Sequence, residues 1–132
     1  MNKESKILDL VLKGQWYDME YSGEKPEEYR EITHYWMRRL FLSGDYFYLW
    51  KPFRIYNMNA KMVEILKKQV YETAEIHFRN YEYVRLRRGY TNITMTYPIK
   101  EIAIGMGNPK WGAPTDREVF IIKFGERLTD MS

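Results

Sequence analysis

The chain has 132 residues, no cysteine, 45% apolar, 17% aromatic and 30% charged residues, and a formal net charge of +3. That is the length of one compact domain, and this apolar and aromatic content excludes a disordered chain. Charges interrupt every apolar stretch before the roughly 18 residues that a membrane helix needs, and the missing cysteines remove disulfides, thiolate nucleophiles and Cys-bearing metal sites. No membrane partner is expected. Met1-Asn2-Lys3-Glu4-Ser5 leads into a mixed apolar stretch without a signal-peptide core, which makes the cytoplasm the expected location.

Ile7-Leu8-Asp9-Leu10-Val11-Leu12 is short, apolar and β-prone, and reads as a first strand. Gln15 to Ser22 follows as a short helix, with Gly23 placed as the left-handed residue that ends it. Pro26 biases Lys25 toward extended backbone, so residues 24–31 form a loop running into a short strand or strand edge. Thr33 caps a second helix through about Phe41, which Ser43-Gly44-Asp45 then stops. Tyr46 to Tyr56 is aromatic and β-prone but broken by Pro52, and Ala60 to Tyr71 carries the clearest helical spacing. Residues 81–87 alternate, which turns Val84 and Leu86 inward and gives Arg85 and Arg87 a common outer face. Thr94 to Ile104 and Glu118 to Phe124 supply two more strands around a loop containing Trp111.

Charge is unevenly spread. Residues 34–90 carry eleven Lys/Arg against five Asp/Glu, while residues 1–33 carry five against eight. A basic, aromatic-rich middle suits phosphate contacts and base stacking on RNA or single-stranded DNA, and equally a solvated face over an aromatic core. With His34 and His77 the only histidines, and with no HExxH, P-loop or dinucleotide turn, no metal or nucleotide cofactor is expected. No serine lies in a Gly-x-Ser-x-Gly elbow.

The informative stretch is Gly23-Glu24-Lys25-Pro26-Glu27-Glu28-Tyr29-Arg30. In an extended segment Glu28 and Arg30 share a face, and the Pro26 turn brings the Lys25 ammonium back toward Glu28. Such a cluster either pins the turn as an ion-pair network or, in a partly dry cleft, binds an anion or a base edge or moves a proton. Trp111, between turn residues, is either a stacking lid on that cleft or a plug in the core.

The order strand, short helix, then Gly-x-Lys-x-x-Glu-x-Arg, here Gly23, Lys25, Glu28 and Arg30, resembles the ASCH domain, a relative of the PUA RNA-binding fold. The likeness extends through the strand leading to Gly89-Tyr90, the strand Ile99 to Ile104, Trp111-Gly112 and the closing Val119 to Gly125, and so resembles small ASCH-like proteins of bacteria and phages. The resemblance implies an α+β fold: one domain over residues 1–132, built as a PUA-like mixed β-barrel of about five or six strands with flanking helices. Residues around 46–78 would be a family-specific insertion. It also implies an RNA-associated role, with Lys25, Glu28 and Arg30 contacting ligand in the cleft. Some small family members hydrolyse acylated cytidines, using the motif lysine with a threonine where this chain has Glu28, together with a distant glutamate.

Two functional readings follow. In the first, Lys25 and Arg30 contact phosphate or a base edge, Glu28 accepts from an exocyclic amine, Trp111 stacks, and Arg79, Arg85, Arg87 and Arg88 extend a phosphate track. The partner is then RNA, single-stranded nucleic acid or a modified nucleoside. In the second, the chain is a small amidohydrolase on an acylated cytidine nucleoside, with Glu28 as general base and Lys25 steadying the oxyanion. A weaker third reading gives the 46–56 aromatic stretch to protein contacts.

Overall fold

A computed structural model describes residues 6–128. The order of elements is β1 (Ile7–Leu12), α1 (Gly14–Tyr21), β2 (Glu27–Arg30), α2 (His34–Leu40), α3 (Ser43–Leu49), a 3-10 turn (Lys51–Phe53), α4 (Ala60–Tyr71), β3 (Tyr83–Arg88), β4 (Thr94–Gly105), a second 3-10 turn (Pro109–Trp111) and β5 (Val119–Phe124). The fold is α+β, a five-stranded mixed sheet in the order β1-β3-β4-β5-β2. β1 runs parallel to β3 and the other pairs are antiparallel.

The shape of the sheet follows from β4. Its first half pairs with β3 from Thr94 to Pro98, and its second half pairs with β5 from Ile99 to Gly105, with the register shifting between Ile99 and Glu101. A register shift next to a proline bends a strand, because one ladder donor is missing and one residue goes unpaired. The sheet stays open, with β1 and β2 as its edges, rather than closing into the expected barrel. A side chain bridges the gap: Arg30 on β2 donates from Nη2 to the Val11 carbonyl on β1 at 3.1 Å.

Alternation sorts the strands as expected. Leu8, Leu10 and Leu12 of β1 and Val84 and Leu86 of β3 enter one main core with Met37, Leu40, Phe41, Leu66 and Ile76. β5 is buried on both faces, sending Phe120, Ile122 and Phe124 to that core and Val119 and Ile121 to a smaller cluster with Tyr29 and Ala113. Thr33 caps α2 by accepting from the Trp36 amide, and Asn59 caps α4 by accepting from the Met62 amide.

The 43–56 region differs from its sequence reading. Ser43-Gly44-Asp45 opens α3 instead of ending α2, and the β-prone aromatics that follow are helical. Tertiary bonds decide this. The Leu42 amide donates to the His77 carbonyl at 2.9 Å, and Asp45 Oδ2 accepts from the His77 amide at 2.8 Å. Tyr46 and Trp50, one helical turn apart, are thereby turned into the core, where Trp50 Nε1 donates to Gln69 Oε1 at 2.8 Å. The 46–78 stretch is therefore integral to the packing, supplying Tyr46, Trp50, Leu66 and Ile76 to the main core. Among the described residues, no helix is long and apolar enough to cross a membrane.

Candidate functional site

Gly23 adopts φ +86° and reverses the chain after α1, the left-handed position expected of it. The Gly23 amide donates to Glu20 O and the Lys25 amide to Met19 O, both at 3.1 Å, while the Pro26 carbonyl accepts from Phe124 N on β5. That turn aims the Lys25 side chain under β2. Its Nζ donates to Glu28 Oε1 at 2.8 Å and to the Glu27 carbonyl at 2.9 Å, and lies 5.2 Å from the Tyr29 ring centroid and 5.8 Å from that of Trp16. Arg30 Nη1 approaches Glu28 Oε1 to 3.6 Å. The three motif side chains converge as the spacing predicts.

Their depth is what sequence did not show. The Lys25 side chain has 0% of its surface exposed, and Glu20 on α1 is equally sealed, its Oε2 at 3.8 Å from Lys25 Nζ. Glu28 Oε1 accepts from Lys25 and from the Tyr29 amide, leaving Oε2 without a partner, as are both carboxylate oxygens of Glu20. Three bare acceptors in one dry cluster are costly unless a proton lies among them. Burial, reinforced by the neighbouring Glu28 charge, pushes Glu20 up to about 10. The upward shift at Glu20 is the direction that relieves these bare acceptors, since a protonated carboxyl becomes a donor.

Above this cluster, in the gap between the two sheet edges, lies a cavity of about 650 Å³. β1 contributes Asp9, Val11 and Leu12, and β2 contributes Glu28, Tyr29 and Arg30. Trp16 of α1, Tyr35, Trp36 and Arg39 of α2, and Trp111 complete the wall. Arg30 is fixed by donating from Nη1 to the Tyr29 carbonyl at 2.7 Å and from Nη2 to Val11, and its guanidinium carbon lies 5.2 Å from the Trp36 ring centroid. Burial, chiefly, lowers its proton affinity; Glu28 and Glu20 oppose this and Arg39 adds to it.

Trp111 lines the cavity, half-buried against the Tyr29 cluster, on a loop tied to its neighbours. Asn108 accepts from Lys110 N through its side chain, and its own amide donates to Tyr29 Oη, which donates to Glu27 Oε2 at 2.6 Å. Gly112, at φ +95°, brings the loop so close that a Cβ there would lie 3.0 Å from the Trp16 ring. At Gly107 a Cβ would lie 2.7 Å from the Tyr29 ring. Loop, Trp16 and Tyr29 are thus one packed unit.

The remaining expected residues lie elsewhere. Lys25 is beneath the cavity and does not line it. Arg85 and Arg87 are on the outer side of β3 and do not line it either: Arg85 holds Asp9 at 2.6 and 3.1 Å, and Arg87 donates to the Thr91 carbonyl at 3.0 Å. Arg88 holds Asp18 at 3.1 Å through two nitrogens, and Arg79 donates to the Phe41 and Arg38 carbonyls. The phosphate track expected on β3 is engaged by acids and backbone carbonyls. Sequence reasoning missed Trp16, Tyr29, Tyr35, Trp36 and Arg39 as pocket residues. A signal existed on α2, where Tyr35 and Trp36 precede Arg39 by four and three residues and so share a face with it.

Comparison with protein-family models, characterised proteins and solved structures returns no match to this chain.

Proposed function

We propose that this chain is an RNA- or nucleotide-binding module of the ASCH-like type, its open sheet a variant of the PUA-like barrel, with the pocket between β1 and β2 receiving a base. The observation that carries the reading is the pairing of an aromatic wall, Trp16 and Trp111, with a fixed guanidinium, Arg30, in one cavity of about 650 Å³. That volume suits a nucleotide. Stacking contributes roughly 1–3 kcal/mol per base, and a planar guanidinium held by two carbonyls presents its free N–H groups in a fixed direction. Glu28 orients Arg30, and Lys25 orients Glu28.

The amidohydrolase reading is the second. It requires Lys25 Nζ and Glu28 at a substrate's acyl carbon, whereas the Lys25 side chain has no exposed surface and donates to Glu27 O and Glu28. The nucleotide-binding reading therefore comes first.

The chain supplies its own probe. Three of its four tryptophans line the pocket, and the fourth, Trp50, is in the core. Titration with a randomised single-stranded RNA pool and with the common nucleosides and nucleotides is expected to quench tryptophan fluorescence, and Trp111→Ala is expected to weaken binding by roughly tenfold. Unchanged fluorescence and no retention across that whole panel overturns the proposal. Turnover of N4-acetylcytidine, abolished in Glu28→Gln, puts the hydrolase reading first instead.

A further inference from the structure

The charges around the pocket do not balance. Of its two lining carboxylates, Asp9 is held at two points by Arg85, which lies outside the pocket, and Glu28 is held at 2.8 Å by Lys25 beneath the floor. Glu20 behind them is sealed from water beside Lys25, at 3.8 Å from its Nζ. Arg30 has only a 3.6 Å approach to Glu28. Arg39 has no carboxylate partner among the described residues: it donates from Nη1 to Tyr35 Oη at 3.1 Å and from Nη2 to the Asp9 carbonyl at 3.5 Å, and its buried Nε has no acceptor. The Arg30 and Arg39 guanidinium carbons both lie 5.2 Å from the centroid of the Trp36 ring. Two cations thus share one aromatic support in a partly dry site, where like charges repel strongly unless an anion joins them.

We infer that the pocket selects a nucleotide bearing a terminal phosphomonoester, the phosphate seated at Arg30 and Arg39 and the base toward Trp16 and Trp111. The inference rests on the nucleotide-binding reading above and narrows it. A phosphomonoester carries close to two negative charges at neutral pH and matches two guanidinium groups, whereas a phosphodiester inside an RNA chain carries one. Lys13, which also lines the cavity, adds a further positive charge to its wall. A strand end or a free mononucleotide is therefore favoured over an internal nucleotide.

The test uses the intact chain and its tryptophan fluorescence. Each common nucleoside is compared with its 5′-monophosphate, its 3′-monophosphate, the methyl phosphodiester of each, and inorganic phosphate. At pH 7.5 one monophosphate series is expected to bind about tenfold or more tightly than its methyl diester and its parent nucleoside. The gap is expected to narrow at pH 5.5, below the second phosphate ionisation near 6. The charged groups facing the guest are Asp9 and Lys13 from β1 and its exit, Glu28 and Arg30 from β2 and Arg39 from α2, and no histidine lines the cavity. Arg39→Gln is expected to reduce the monophosphate's affinity to that of the methyl diester, with folding checked by thermal melting.

Equal affinity for monophosphate, methyl diester and nucleoside overturns this inference and leaves the nucleotide-binding reading in place. Inorganic phosphate binding as tightly as any nucleotide also overturns it, since the base then contributes nothing. No binding by any of these compounds or by the RNA pool overturns both.

Discussion

The cluster beneath β2 and the arginine row on β3 both pair basic with acidic side chains, in opposite surroundings. Lys25 and Glu20 are shut away from water and Glu28 exposes only 7% of its side chain, while the Arg85–Asp9 and Arg88–Asp18 pairs leave roughly half of each side chain exposed, between 41% and 61%. Bidentate geometry makes the β3 pairs look the stronger. Water reverses that ranking, because an exposed pair loses little when broken, whereas a buried ion deprived of its partner keeps its full desolvation cost. The energetic weight of the motif thus lies under the pocket, and the β3 row acts mainly on the field around it.

The largest expected effect tests the buried side. Lys25→Met leaves the buried Glu28 carboxyl without its lysine partner beside Glu20 and is expected to destabilise the fold by about 3–5 kcal/mol in chemical denaturation. Adding Glu28→Gln removes the stranded carboxyl and is expected to recover more than half of the loss. A single Lys25→Met variant within about 1 kcal/mol of wild type would mean that water reaches the cluster and that the two regions do not differ as described.

Glu20 sharpens the comparison through pH. Its carboxyl stands at about 10 in the folded chain against an ordinary value of 4.5, so between those values the folded state keeps a proton that the unfolded state has released. The Glu20 contribution to stability is then fully present below 4.5 and is lost progressively as pH rises from there toward 10. Glu20→Gln, which imitates the protonated form, is expected to flatten that slope and to be more stable than wild type by on the order of 3 kcal/mol at pH 7. A variant whose stability falls with pH as steeply as wild type would place the proton elsewhere.

Most of the frame was legible because it rests on local rules. A short apolar, β-prone run placed β1, alternation placed β3, Thr33 announced α2, the Ala60 to Tyr71 periodicity marked α4, and the Pro26 turn with period-two spacing brought Lys25, Glu28 and Arg30 together. What was not legible depends on distant partners. Glu20 carries a carboxylate, which ordinarily faces water, and it is buried beside Tyr17 on the inner face of α1, where the Tyr97 hydroxyl donates to the Glu20 carbonyl at 2.7 Å. The 43–56 segment carries turn-forming and β-prone residues that bonds to His77 and Gln69 overrule. The register shift in β4 likewise belongs to its pairing with β5, which no single strand's pattern contains.

The smallest expected effect separates a direct role for Arg85 from an indirect one. Arg85 has a side chain 42% exposed and holds Asp9, which lines the pocket. Arg85→Gln is therefore expected to change stability by under about 1 kcal/mol, as exposed pairs do. It also releases the Asp9 charge toward the site, so nucleotide affinity is expected to fall by about two- to fivefold at low salt and less at high salt, where the field is screened. Asp9→Asn in the same chain removes the released charge. If Arg85 acts only by neutralising Asp9, the double variant regains wild-type affinity; if Arg85 contacts phosphate itself, as the β3 track envisages, the loss persists in the double variant. Recovery would confine ligand contact to the pocket, and persistence would extend the nucleic-acid surface out along β3.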